Sequence, residues 1–327
     1  MLSLRLLVYP YFNAHYYSFY IQELYKKFRK LTYSNKHFPE FHHHCLAFII
    51  EGKNQKKVYI SAGDGSGFNT IGLEWCDIYA KVNVNNKLIP TKHKKKVIPI
   101  GPSFGVQYLN GFGTLVQSII TYSKSLNTLD TPREHIANYY RQWKYRLPLP
   151  YFKPGSINKK YIFHASTLWK KEKDTNIHRA NFINVASNLI GIHFEGGFAP
   201  GKEESIKGFE QLIMNEKFSF IHYLNNIKKS VVVFNTPAVQ GCFGWKLGEY
   251  LALGKAIIST KNSNMLPSPL IHGKHIHYVD GSKDSIKSAI IEIMANKPYR
   301  KTLEKNARKY YLKYLSPSSV IQRIIDL

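Results

Sequence analysis

The tightest constraint on the fold lies in residues 160–280, where short apolar runs alternate with stretches of helical period. VVVF at 231–234 and AII at 256–258 contain no polar position. A strand with one wet face alternates; a strand without alternation is covered on both faces, as in a parallel sheet between helical layers. In order, KYIFHAS reads as a strand, DTNIHRANFINVASNL as a helix, GIHFEGG as a strand and EESIKGFEQLI as a helix. FSFI at 218–221 fits a short strand or a turn of helix. SVVVFNT is a strand, WKLGEYLALG a helix, KAIIST a strand, and HIHYV closes the series. The expected fold class is α/β, with a doubly wound parallel sheet written most clearly in the C-terminal half.

The first half is less regular. Leu4–Tyr9 reads as a strand, and HYYSFYIQELYKKFRKL as a helix whose apolar stripe is Tyr17, Ile21, Leu24, Phe28 and Leu31. CLAFII and KVYISAG are strands paired around the polar turn EGKNQK, with IYAKVNV and KVIPIG as two more. Helical patterns run from about Asn110 to Leu126 and from about Pro132 to Trp143. The proline-rich LPLPYFKPGSINKK, residues 147–160, has no periodicity and reads as a linker. Two Rossmann-like domains follow, 1–150 and 151–327, the second ending in basic helices. A length of 327 residues suits two such domains.

Charge narrows the partners. Lys and Arg total 46 against 21 Asp and Glu, for a net charge of +25. Such a field favours nucleic acid, anionic lipid or phosphorylated substrates. Cys45, Cys76 and Cys242 are sparse and far apart, which argues against a disulfide framework and for a reducing, cytoplasmic compartment. The N-terminal MLSLRLLVYPYF carries Arg5 within its apolar run and reads as a first strand, not a signal peptide. No apolar run approaches a membrane span. Tyr16–Lys30 and the aromatic-basic patch from Tyr139 to Arg146 leave room for a peripheral position on an anionic membrane, against core packing and a solvated basic face respectively.

Open parallel sheets bind ligands beyond the carboxyl ends of their strands. There the sequence puts Trp169, Lys170 and Lys171 after KYIFHAS, and Asn235 after VVVF. GCFGWKLGEYLALG follows. Gly241 and Gly244 permit close backbone approach, and the start of the following helix attracts phosphate through its free N–H groups and its dipole. Lys246 sits in the first turn. Glu249, three residues on, shares its face and is placed to accept hydrogen bonds from a ribose diol. The competing reading of Lys246 and Glu249 is an exposed ion pair of little consequence.

WKLGEYLALGKAIIST resembles the donor-binding segment of GT-B glycosyltransferases, in which a helix bearing a Glu leads through an EALA-x-G-x-PVI pattern into a strand. With YIFHASTLWKKEKDTN, HFEGGFAP and FNTPAVQGCFG, it is similar to glycosyltransferases of bacterial surface-polysaccharide synthesis. These are distantly akin to exostosin-like enzymes, and the donor domain resembles that of glycosyltransferase family 1 or 4. The resemblance spans roughly residues 160–280. It implies a nucleotide-sugar donor, with Glu249 on the ribose and Lys246 and Lys170 or Lys171 on the diphosphate. Trp169, Asn235 or Phe243 would contact the base or sugar, and Gly244 belongs to the loop against the phosphates. It implies a glycan or polyprenyl-diphosphate-linked acceptor and no cofactor. Many retaining members carry a second Glu eight positions before the first; here that position is Gly241, so the stereochemical class stays open. Asp64, in ISAGDGSGFN, lies at a strand end of the first domain, where such enzymes hold the acceptor and often a base. An Asx turn is the alternative.

Rival motifs are weaker. GGFAPGKE, residues 196–203, nearly matches a P-loop, but Glu203 stands where a hydroxyl would bind Mg²⁺. FHHHC, read on a strand, converges at most two histidines, so no metal is expected there. No D-x-D occurs. A basic nucleic-acid-binding α/β protein is the alternative function; no recognised nucleic-acid motif supports it, and the basic residues are spread along the chain.

Overall fold

The computed structural model describes residues 2–52, 55–126, 129, 131–201 and 206–327. The chain forms two compact units. Unit 1 comprises Met1–Tyr151, Asn264–Ser268 and Tyr314–Leu327; unit 2 comprises Phe152–Ser263 and Pro269–Lys313. Residues 151–327, read together from the sequence, are thus divided between the two.

In unit 1 the elements run β1 (Leu2–Val8), α1 (Ala14–Lys27), β2 (Phe28–Tyr33), β3 (Leu46–Ile50), β4 (Lys56–Ser61), α2 (Thr70–Trp75), β5 (Ile78–Lys81), β6 (Val97–Pro99), α3 (Gly111–Ser125) and α4 (Pro132–Tyr145). The six strands form one mixed sheet in the order β2-β1-β3-β4-β5-β6. β1 is parallel to β2 and antiparallel to β3; β3 and β4 form the expected antiparallel pair; β4, β5 and β6 are parallel.

One boundary differs from the sequence reading. The helix α1 is capped by Asn13, whose side chain accepts from the His15 and Tyr16 N–H groups, and it ends at Lys27. Phe28 is already extended, and Phe28–Tyr33 is strand β2 beside β1. Phe28 and Leu31 satisfy a helical period, but β1 lies alongside as a parallel ladder partner, and that pairing outweighs local helix propensity. FHHHC differs too: His43 and His44 form a turn, and β3 starts only at Leu46.

Unit 2 contains β7 (Tyr161–Ser166), α5 (Lys173–Ser187), β8 (His193–Phe198), α6 (Phe220–Lys229), β9 (Val233–Asn235), α7 (Trp245–Ala252), β10 (Ile257–Ser259), β11 (His277–Tyr278), α8 (Lys283–Ala295) and α9 (Lys297–Tyr310). The final helix, α10 (Pro317–Asp326), belongs to unit 1. β7 pairs with β8, and β9, β10 and β11 pair in turn, all parallel. Two bonds join the groups: Val231 N–H donates to Tyr161 O at 2.9 Å, and Phe163 N–H donates to Ser230 Oγ at 2.9 Å. A core of Ile162, Phe182, Val232, Phe234, Ile258 and Ile290 lies against this sheet, with the Phe182 and Phe234 rings stacked at 4.7 Å.

The helix expected over EESIKGFEQLI is not formed in its described part. Residues 206–213 hold only a 3₁₀ turn at Glu210–Leu212. Gly208 has φ +92°, and the Glu210 carboxylate accepts its N–H, so polar groups in the segment bond locally. Ile206, Phe209, Leu212 and Ile213 pack beside Phe198 and Ile183, so the apolar residues that mimicked a helical stripe are partly buried from a loop. FSFI becomes the entry to α6, capped by Ser219.

Candidate functional site

The site is built at the carboxyl ends of β7 and β9, under the start of α7. After β9 the chain turns through Pro237–Gly244. Thr175 Oγ1 on α5 donates to Pro237 O at 3.1 Å, and Glu172 Oε1 accepts from Gln240 N–H at 2.7 Å. Gln240 and Gly241 both have positive φ, 55° and 68°. α7 then starts behind Gly244 with no side-chain cap, which leaves its N-terminal dipole uncompensated by a capping oxygen. Leu247 and Leu251 take the buried face as expected.

Lys246 and Glu249 are not an exposed pair. Glu249 is only 3% exposed, and its Oε2 accepts from the Tyr223 hydroxyl at 3.2 Å. The Lys246 ammonium donates to Ala165 O in β7. Burial lowers its pKa to about 7, helped by the Arg179 guanidinium and opposed by Glu249.

Arg179, on α5, was not singled out from the sequence. It is 6% exposed, donating from Nε to Thr236 Oγ1 at 2.9 Å and from Nη1 to Thr167 O at 2.8 Å. Burial lowers its pKa to about 10. Its signal was present: Arg179 falls on the inward face of α5 with Thr175, Phe182 and Ile183, where a solvated charge would not stand. The buried Arg179 and the half-buried Lys246 therefore neighbour each other past the carboxyl ends of β7 and β9. Such a like-charged pair is costly, and an anion beside it would offset that cost.

The other candidates are placed as follows. Trp169 is partly buried, its backbone clamped by Asn176, which donates to Trp169 O at 2.8 Å and accepts from Trp169 N–H at 3.1 Å. Lys170 and Lys171 are exposed on the turn that follows. Asn235 is buried and donates to Ser259 Oγ at 2.9 Å, tying β9 to β10. Phe243 is buried. Past the ends of β10 and β11 lies a groove of about 730 Å³ lined by His178, Thr260, Lys261, Tyr278, Asp280 and Glu292, among others. Asp64 belongs to unit 1, exposed on the loop after β4. That loop is braced by Lys81 Nζ on Gly65 O at 2.9 Å and Asn83 Nδ2 on Gly63 O at 2.9 Å. Lys202 and Glu203 of the P-loop-like stretch lie outside the described residues.

Residues 159–310, which hold every element of this site in unit 2, match the family model of glycosyl transferases group 1. This region is similar to the group 1 glycosyl transferases. The protein is a glycosyltransferase, and its two α/β units fit the GT-B class named from the WKLGEYLALGKAIIST resemblance. No curated protein matches the chain. Among solved structures, it is similar to the C-terminal domain of a group 1 family glycosyl transferase, LpcC, from Francisella tularensis. The identity is 14%, over 51% of this chain and 97% of that one, with a TM-score of 0.37. It is also similar to HepE from Anabaena, solved in complex with UDP and glucose, at 13% identity over 78% and 64% of the two chains, with a TM-score of 0.46. Sucrose-phosphate synthase from Thermosynechococcus elongatus is 11% identical over 94% and 90%, with a TM-score of 0.43. Within the matched region, the Glu that the resemblance implies for ribose is the buried Glu249, and Lys246 stands at the start of the same helix.

Proposed function

We propose that the protein transfers a sugar from a nucleotide-sugar donor to a glycan or polyprenyl-diphosphate-linked acceptor in surface-polysaccharide synthesis, working peripherally at the inner face of the plasma membrane. The observation that carries the donor half is the pairing of buried Arg179 with half-buried Lys246 beside the uncapped start of α7. In this reading the donor diphosphate lies against Gly244, Lys246 and Arg179, with Lys170 and Lys171 adding exposed positive charge nearby. Glu249 holds the ribose, positioned by Tyr223. Trp169 and Phe243 border the base or sugar, and Asn235 acts through Ser259. As the sugar–phosphate bond breaks, negative charge grows on the departing nucleoside diphosphate, and the fixed cations stabilise it without reorganising. Asp64 is the proposed base on the acceptor hydroxyl.

Calorimetry with UDP, GDP, CDP and their sugar conjugates tests the donor site. One nucleotide family is expected to bind, and Lys246→Met to weaken it. Binding of none, or unchanged binding by the variant, would overturn the assignment. Asp64→Asn should lower kcat while leaving donor affinity intact; an unchanged kcat removes Asp64 from the mechanism.

A further inference from the structure

Helix α3 is built inside out. The residues it buries are Thr114, Gln117, Ser118, Thr121 and Ser125, all polar. The residues it exposes include Phe112 at 77%, Leu115 and Ile119 at 58% each, Ile120 and Val116. Positions 112, 115, 116, 119 and 120 form one continuous helical stripe. An ordinary amphipathic helix would turn that stripe inward. Here hydrogen bonds fix the opposite orientation: the Tyr25 hydroxyl donates to Gln117 Oε1 at 2.6 Å, and Gln142 Nε2 donates to Thr114 Oγ1 at 3.2 Å. Thr121 Oγ1 meets His135 Nε2 at 3.0 Å and donates to the Tyr139 hydroxyl at 3.1 Å. Rotating α3 to bury its apolar face would break all of these.

The neighbouring helix α4 exposes Ile136 and Tyr140 one turn apart, and the Tyr140 ring meets those of Trp143 and Tyr145 at 6.0 and 5.9 Å. Charge around these helices is one-sided. Residues 110–146 carry Lys124, Arg133, Arg141, Lys144 and Arg146 against Asp130 and Glu134. Glu134 is paired with Arg141, while Lys124, Arg133 and Lys144 are exposed. An apolar ridge with exposed aromatic rings and cations at the helix ends matches the interface of an anionic bilayer, where tails take the ridge and headgroups take the cations.

We infer that α3, with the outer face of α4, is the surface by which the protein docks on anionic phospholipid membrane. The inference deepens the membrane part of the proposed function but uses none of the donor-site residues. It leaves out the first stretch the sequence suggested, since in α1 Tyr17, Phe19, Tyr20, Ile21 and Leu24 are buried in unit 1; of the second patch it keeps the outer face, Tyr139 being buried.

The test is co-sedimentation of the full chain with phosphatidylcholine vesicles, with and without phosphatidylglycerol, in the absence of nucleotide. Wild type should bind the anionic vesicles, and more weakly as salt rises. The double variant Leu115→Gln, Ile119→Gln should lose at least about tenfold in binding. Both side chains are exposed, so its thermal melt should match wild type, and Lys144→Gln should give a smaller loss. No vesicle binding by wild type, or equal binding by the double variant, would overturn the inference. So would a dimer, seen by light scattering, that the double variant abolishes while neither protein binds vesicles.

Discussion

Arg179 of α5, buried, and Lys246 of α7, half-buried, are neighbouring cations: after desolvation itself, the Arg179 guanidinium does most to lower the Lys246 ammonium from 10.5 to about 7. This makes donor binding dependent on pH. A bound diphosphate favours the charged ammonium and raises its pKa. Below pH 7 the ammonium is already charged and binding is at full strength. Above pH 7 binding must take up a proton, so affinity falls by up to about tenfold per pH unit until the raised pKa is reached. Calorimetry with the nucleotide sugar that binds, in buffers of different ionisation enthalpy, should show proton uptake near pH 8. Lys246→Met should bind more weakly and with no such uptake.

Arg179→Met separates the electrostatic role of this residue from its structural one. The Thr236 hydroxyl and Thr167 O lose their donor, which should cost about 1–3 kcal/mol of unfolding free energy in denaturant titration. Removing the guanidinium should also raise the Lys246 pKa, moving the pH-dependent fall in donor affinity upward. A destabilised variant with the pH profile unmoved would show that Arg179 only braces the strand ends.

Much of this was legible because it depends on local pattern. VVVF and AII announced strands covered on both faces, and GCFGWKLGEYLALG announced the helix that carries Lys246 and Glu249. What escaped depends on distant partners. Phe28–Tyr33 is a strand because β1 lies beside it, and nothing within FRKLTY reveals that neighbour. The segment 206–213 fits a helical period, yet Gly208 and Glu210 close a local turn instead. Arg179 was hidden because a lone charge on a helix is usually solvated, and only its position among Thr175, Phe182 and Ile183 marks it as buried. The polar face of α3 points inward because Tyr25, His135, Tyr139 and Gln142 receive it, from other helices.

Glu249 is argued to have two bonding roles, one to Tyr223 and one to the ribose. Glu249→Ala removes both, and should cost about 1–3 kcal/mol in donor binding together with some stability, since the buried Tyr223 hydroxyl loses an acceptor. Glu249→Gln keeps a carbonyl oxygen for Tyr223. It should melt close to wild type while still weakening the donor, because an amide accepts less strongly than a carboxylate. If the glutamine variant binds donor as wild type does, Glu249 serves Tyr223 alone.

Lys255 gives a stability prediction free of any ligand. It follows Gly254 at the end of α7, is 3% exposed, and donates to Lys228 O and Ser230 O at the end of α6. Burial lowers its pKa from 10.5 to about 7, with the Lys301 and Arg300 charges adding to the effect against Glu304. The folded protein therefore releases this proton near pH 7, whereas the unfolded chain holds it to about 10.5. Between those values the unfolded state binds more protons, so stability rises with pH through the window. Lys246, lowered in the same way, contributes alike. Thermal melts from pH 6 to 9 should show Lys255→Met losing part of that rise. The substitution leaves both carbonyls without their donor, so it should cost most at the alkaline end. There the wild-type amine is neutral and donates without the penalty of a buried charge. Parallel melting curves for the two proteins across that range would mean that Lys255 keeps its ordinary pKa in the fold.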